Sequence, residues 1–174
     1  MNQKSLFNKK IIISAAADGI GWSIAQECMS NGALVYVSDK NKEALDNISK
    51  HDLYEKQLFL DRVNTHDFQE VENYFNKIKD KIDKIDALIN NVGISGPTGK
   101  LEDLDINNWK ETIDININSH FYYTKFAIPL LKKNNGGSII VVVDKKGDTM
   151  GYITEKELAI SLSKTSHNEP AKAS

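Results

Sequence analysis

Chemistry is most legible near the amino end of the chain, in Ser14-Ala15-Ala16-Ala17-Asp18-Gly19-Ile20-Gly21. Three β-branched residues, Ile11-Ile12-Ile13, precede this run and read as a buried strand. Ile24, Ala25, Cys28 and Met29 follow at helical spacing. A tight strand-to-helix turn presents unpaired backbone N–H groups at a helix N-terminus, and these together with the helix dipole suit phosphate oxygens. Gly19 and Gly21 allow close approach of the backbone to a ligand and to the strand. A second apolar run, Leu34-Val35-Tyr36-Val37-Ser38, ends in Asp39, 18 residues after Gly21. A carboxylate there would accept hydrogen bonds from an adenosine ribose and repel a 2′-phosphate. Strand, glycine turn, helix, strand and acid form a βαβ unit suited to NAD, with NADP disfavoured. The other reading of these glycines is a turn that only packs helix against strand.

The elements needed to position these residues recur along the chain. Strands are expected at 11–14, 34–39, 57–61, 85–91 and 138–143. Helices are expected at 41–50 and 65–81, the latter amphipathic through Phe68, Val71, Tyr74, Phe75 and Ile78. A long helix is expected over 109–132, bent in its last turn by Pro129. Strands alternating with helices argue for a parallel sheet covered on both faces, a Rossmann-like three-layer α/β/α fold with strand order 3-2-1-4-5. Composition shifts after Val143 to a charged turn, a weak helical pattern over 155–164 and a polar tail.

Bulk properties narrow the function. The 174 residues fit one domain, and 40% hydrophobic content supports a core. A net charge of −2 favours neither nucleic acid nor an anionic membrane. No apolar run approaches the ~20 residues of a membrane span, and the first residues lack a signal-peptide core. A cytoplasmic location is the expectation. The single cysteine, Cys28, reads as a small core residue, and the four histidines show no metal spacing.

Over roughly residues 6–151 the chain resembles the short-chain dehydrogenase/reductases. That family shows Thr-Gly-x-x-x-Gly-x-Gly after its first strand, where this chain has Ser14 through Gly21. Its Asn-Asn-Ala-Gly appears as Asn90-Asn91-Val92-Gly93, and the following Ile94 to Gly99, Leu101 to Leu104 and Trp109 are also typical. The resemblance implies dinucleotide contacts from Ser14, Ala15, Asp18, Gly19, Ile20, Gly21, Asp39, Asn90 and Gly93, with Asp61 as the acid that contacts adenine. It implies an oxidoreductase exchanging hydride between nicotinamide and a carbonyl or alcohol. Asn116 corresponds to the family's helical Asn, which holds a water in the proton relay. It also implies self-association through the 109–132 helix, with Phe121, Tyr122, Phe126 and Ile128 available for contact.

The departures point to a second reading. Ala15 stands where the family has its first glycine. Val143-Asp144 stand where the family has Ser-Ser, and an Asp would repel a developing oxyanion. The family's Tyr-x-x-x-Lys has two counterparts. Tyr152 and Lys156 have the right residue types, but Tyr152 follows Asp144 closely. Ile160 with Lys164 fits the family's Tyr-x-x-Ser-Lys ending and lacks the tyrosine. Family members continue beyond the length seen here, so the C-terminal strands are expected to be missing and the fifth strand to lie at or near an edge. The division expected is a dinucleotide-binding domain over 1–151 and a shortened catalytic-helix remnant with a tail over 152–174. Two functions therefore stay open: an active NAD-dependent oxidoreductase, or an inactive remnant that binds a dinucleotide weakly or serves only as an interaction module.

Overall fold

A computed structural model describes residues 5–142. Five strands, β1 (Lys10–Ser14), β2 (Leu34–Asp39), β3 (Leu58–Arg62), β4 (Ala87–Asn90) and β5 (Ser138–Val141), form one parallel sheet in the order β3-β2-β1-β4-β5. Between them lie α1 (Gly19–Ser30), α2 (Lys42–Ile48), α3 (Phe68–Lys81), α4 (Ile106–Ile113) and α5 (Ser119–Lys133). This is the expected strand order and the expected three-layer arrangement.

Side-chain alternation along the strands assigns the two faces. Ile11, Ile13, Val35, Val37 and Ile89 pack with Ala25, Cys28 and Met29 of α1 and Leu45 and Ile48 of α2. Ile12, Tyr36 and Leu88 point the other way, onto Val71, Phe75 and Ile78 of α3 and Tyr123, Ala127 and Leu130 of α5. The central strands are buried on both faces, which is why they read as unbroken apolar runs. Among the described residues strand β5 is at the edge, and its burial alternates: Ile140 packs on the α1/α2 side, while Ile139 and Val141 are 41% and 45% exposed.

Several boundaries differ from expectation by a residue or more; β4, for instance, is Ala87–Asn90 within the expected 85–91, and α2 is Lys42–Ile48 within 41–50. Strand β3 is shifted by one residue and closes on Arg62, not Asp61. Helix α3 starts at Phe68, not at residue 65. Asp67 caps it by accepting from the Glu70 N–H at 3.0 Å, and Glu70 in turn accepts the Asn64 N–H at 2.7 Å. The long helix starts at Ile106 under an Asp105 cap and passes through a π-helical turn at Asp114–Asn118 before continuing as α5. Val143 and everything after it lie outside the described residues.

Candidate dinucleotide site at the carboxyl edge

The carboxyl ends of β1, β2 and β4 converge where the chain turns from one half of the sheet to the other, the usual place for a ligand in an open α/β sheet. Ser14 ends β1 fully buried, and its hydroxyl accepts the N–H groups of Asn91 at 3.1 Å and Val92 at 3.4 Å. It thereby ties the turn after β1 to the turn after β4. Ala15 follows at φ +49°, in the left-handed region that favours glycine. Its carbonyl accepts the Asn91 side-chain N–H at 2.6 Å. The family's glycine at this position thus has a backbone reason, and this chain meets the same conformation with an alanine.

The remainder of the turn is built for close approach. Gly19 sits at φ +56° with nothing within 4 Å of where a Cβ would be. At Gly21 a Cβ would lie 2.5 Å from Asn91 Nδ2 and 2.7 Å from the Ala16 Cα, so only glycine lets α1 start this near the turn. Asp18 caps α1 through the Gly19 N–H at 2.7 Å. The next amides, those of Ile20 and Gly21, fall in the first turn, where the helix supplies no acceptor. Ile20 itself is 53% exposed.

Asp39 closes on this turn from β2. Its Oδ2 accepts the Ala17 N–H at 3.0 Å and its Oδ1 accepts the Asn41 N–H at 2.9 Å. Acid and glycine turn are therefore in direct contact. Beside them is a cavity of about 190 Å³ reached by Ala15, Asp39, Asn64, Asn91, Gly93 and Ile94. Four of the expected residues thus meet here: Ala15, Asp39, Gly93 at the cavity and Ser14 beneath it.

Other expected residues are placed differently. Asp61 pairs in register with Ser38, so it faces the α3/α5 layer, whereas Asp39 pairs with Arg62 and faces the α1/α2 side. The Asp61 carboxylate ion-pairs with Lys77 of α3, and Asp61 is not a lining residue of the cavity. Asn90 is 1% exposed; its Nδ2 donates to Thr124 Oγ1 at 3.2 Å, and its buried Oδ1 has no donor among the described residues. Asn90 thus joins β4 to α5 below the cavity. Asn116, in the π-helical turn, engages Ile94 through both atoms of its amide, and His120 holds the Val92 carbonyl at 2.8 Å. Both side chains act on the segment containing Gly93. Tyr152, Lys156, Ile160, Lys164 and Asp144 lie outside the described residues.

Several residues were not singled out from sequence. Asn64 and Thr65, just past β3, line the cavity with Lys40 and His66. Asn64 Oδ1 is buried with no donor among the described residues. The signal was available: in a parallel sheet every residue following a strand reaches this same edge. Cys28 is fully buried under α1, and burial, helped by the Glu27 charge, pushes its thiol from 9.0 up to about 12. It is a core residue, not a nucleophile. Among the described residues no three His, Cys, Asp or Glu side chains gather as a metal site, and no helix is long and apolar enough to cross a membrane.

Comparison with known proteins agrees with this geometry. The family model for short chain dehydrogenase matches residues 9–171. Among curated relatives, meso-2,3-butanediol dehydrogenase of Serratia marcescens is 30% identical over 74% of this chain and 51% of its own length. The uncharacterized oxidoreductase YxbG of Bacillus subtilis (strain 168) is 32% identical over 91% of this chain and 60% of its own. The chain therefore spans between about half and three fifths of these relatives. Of solved structures, ElxO with NADP bound superposes with a TM-score of 0.73 at 24% identity, over 90% of this chain and 64% of that one. The structure of gox2181 gives the same TM-score, 0.73, at 18% identity over 84% and 61%. The parallel sheet in 3-2-1-4-5 order, the glycine turn meeting an acid at the end of β2 and the match over most of the length lead to one conclusion: the chain belongs to the short-chain dehydrogenase family.

Proposed function

We propose that the protein is an NAD(P)-dependent oxidoreductase and that it prefers NAD(H). The observation that carries the proposal is the contact between Asp39 and the glycine turn through the Ala17 N–H. A carboxylate suited to ribose hydroxyls and a helix terminus suited to phosphate are adjacent through this contact, which supports the reading. The residues fit a dinucleotide. Open space surrounds Gly19, and the first-turn amides of α1 suit the pyrophosphate. Each Asp39 oxygen holds one N–H and keeps a further lone pair for ribose hydroxyls. The buried Asn64 Oδ1 beside the cavity, which has no donor among the described residues, suits a nucleotide N–H or O–H donor. A bound nicotinamide would supply the hydride chemistry. The protein's part is to hold the nucleotide and to keep the Gly93 segment rigid from Asn116 and His120. In this reading Tyr152 serves as the acid/base with Lys156 as its partner, the resemblance also offering Ile160 and Lys164 at these two positions, and Asn116 belongs to the proton relay.

Titration with NADH and NADPH, followed by a panel of ketones and alcohols while the reduced cofactor's absorbance is monitored, tests this. Turnover that is lost in Tyr152→Phe supports the whole reading. Binding without turnover removes the catalytic part and leaves the inactive dinucleotide binder. Absence of binding removes both.

We infer in addition that two copies associate through the helix spanning α4 and α5. Ile106, Trp109, Ile113, Ile117 and Phe121 recur every three or four residues and are 37–62% exposed. Such a stripe is self-complementary about a two-fold axis, and it lies on the helix for which the family resemblance implies pairing. Sedimentation at low micromolar concentration should show a dimer or larger that Ile117→Glu with Phe121→Glu converts to monomer; a monomeric parent chain would exclude it.

A further inference from the structure

Asp61 faces away from the cavity, and Arg62, the last residue of β3, is in register with Asp39 at the end of the neighbouring strand. Arg62 Nε donates to the Lys40 carbonyl at 3.2 Å, which leaves further guanidinium donors available. Arg62 and Lys40 line a second cavity, of about 530 Å³, with Asn64 and Glu70. Lys40 and Asn64 also line the cavity beside Asp39, so the two adjoin.

The charges here are unevenly committed. Both Asp39 oxygens accept backbone N–H groups, and Glu70 Oε2 accepts the Asn64 N–H. Among the described residues the ion pairs engage Lys9, Lys10 and Lys77, and neither Lys40 nor Arg62 has a carboxylate at ion-pair distance. Two cations without counter-ions thus flank an acid whose charge is partly spread over two N–H groups. The second cavity has no apolar lining residue. A phosphate, held by the planar fork of an Arg and the point charge of a Lys, matches that chemistry.

We propose that Arg62, with Lys40 beside it, is a phosphate seat at the ribose end of the groove and sets how strongly the protein discriminates against 2′-phosphorylated dinucleotides. Asp39 favours the unphosphorylated cofactor, and Arg62 opposes it from the adjacent strand. The preference for NADH over NADPH is then smaller than tenfold, although Asp39 alone would impose tenfold or more. This inference rests on the dinucleotide reading above.

The test is calorimetric titration of the full chain with NADH and with NADPH, in the parent, Arg62→Gln, Arg62→Lys and Lys40→Gln proteins. Arg62→Gln should weaken NADPH about tenfold and change NADH less than twofold. Arg62→Lys should fall between, since it keeps the charge and loses the fork, and Lys40→Gln should produce a smaller loss of the same kind. Unchanged melting temperatures show that the variants are folded. If NADPH binding is indifferent to Arg62, or both cofactors weaken together, the phosphate seat is wrong while the dinucleotide reading stands. If the parent protein binds neither cofactor, both fall.

Discussion

The side-chain amide of Asn116 and the backbone of Ile94 pair through both their polar groups: Nδ2 donates to the Ile94 carbonyl at 2.9 Å, and Oδ1 accepts its N–H at 2.8 Å. The pairing joins a helix on one side of the sheet to the turn after β4. Asn116 lies in the π-helical turn, where one extra residue widens the helix, a feature frequent at functional sites. Gly93, next to Ile94, lines the cavity, so the helix and the binding segment are fixed to one another.

Replacing Asn116 by Leu removes both hydrogen bonds and leaves the Ile94 N–H and carbonyl to solvent. The expected cost is about 1–2 kcal/mol of global stability, since each such bond contributes about 0.5–1.5 kcal/mol net. The sharper readout is hydrogen exchange: the Ile94 amide should lose its protection while the amides of β1 keep theirs. Unchanged exchange at Ile94 would show that other contacts hold the segment.

Ala15 predicts opposite outcomes for two substitutions. Its φ of +49° costs an L-residue roughly 1–2 kcal/mol, which glycine avoids. Glycine also gives the unfolded chain more freedom, worth about 0.4–1 kcal/mol. Ala15→Gly should therefore be neutral to stabilising by about 1 kcal/mol, whereas Ala15→Val, branched at Cβ, should destabilise by more than 2 kcal/mol. Urea unfolding midpoints separate the two; a destabilised glycine variant would contradict the strain.

Asp39 serves the fold and the ligand together, and two variants divide these roles. Asp39→Asn keeps an acceptor of the same length for one of the Ala17 and Asn41 amides and removes the charge. It should shift the balance toward NADPH by about tenfold, enough to bring NADPH level with or ahead of NADH, and should cost about 1 kcal/mol of stability for the one hydrogen bond lost. Asp39→Ser is too short to reach both amides and should lower stability by about 1–2 kcal/mol, the net worth of the two hydrogen bonds lost, one part-buried and one exposed. A balance that does not shift in either variant would take cofactor choice away from Asp39.

The sheet was legible because Ile11-Ile12-Ile13 and Leu34 to Val37 are buried on both faces, and such strands announce themselves as apolar runs. The Asp39 contact was legible because strand β2 ends where its apolar run does. Asp61 was not. Its face follows from alternation and register: Leu58 and Leu60 point to the α1/α2 side, so Asp61 points to α3, where Lys77 pairs with it, and the register against β2 that fixes this is not written in the local sequence. The π-helical turn at Asp114–Asn118 escaped because the run Asp-Ile-Asn-Ile-Asn reads as ordinary helix by spacing and propensity. Nor did Asn64 stand out, because a lone Asn after a strand looks like any turn residue until the edge it reaches is known.

The buried thiol and phenols predict how the fold responds to alkali. Burial raises Cys28 from 9.0 to about 12, and burial likewise raises Tyr74 and Tyr123 above their usual range. In each case the folded pKa lies above the unfolded one, so the unfolded chain releases its proton first. The contribution is intact below about pH 9 and is lost as pH rises through the folded values. While only Cys28 titrates in this way, stability should fall by about 1.4 kcal/mol per pH unit, and more steeply once the tyrosines of the unfolded chain ionise near pH 10. Urea unfolding at intervals between pH 7 and pH 11 reads this directly. Cys28→Ala should lower stability at neutral pH, because it empties a packed site under α1, and yet flatten the decline between about pH 9 and pH 10. A parent protein whose stability is level up to pH 10.5, or a Cys28→Ala variant with the parent's slope, would show that the thiol is not held protonated by the core.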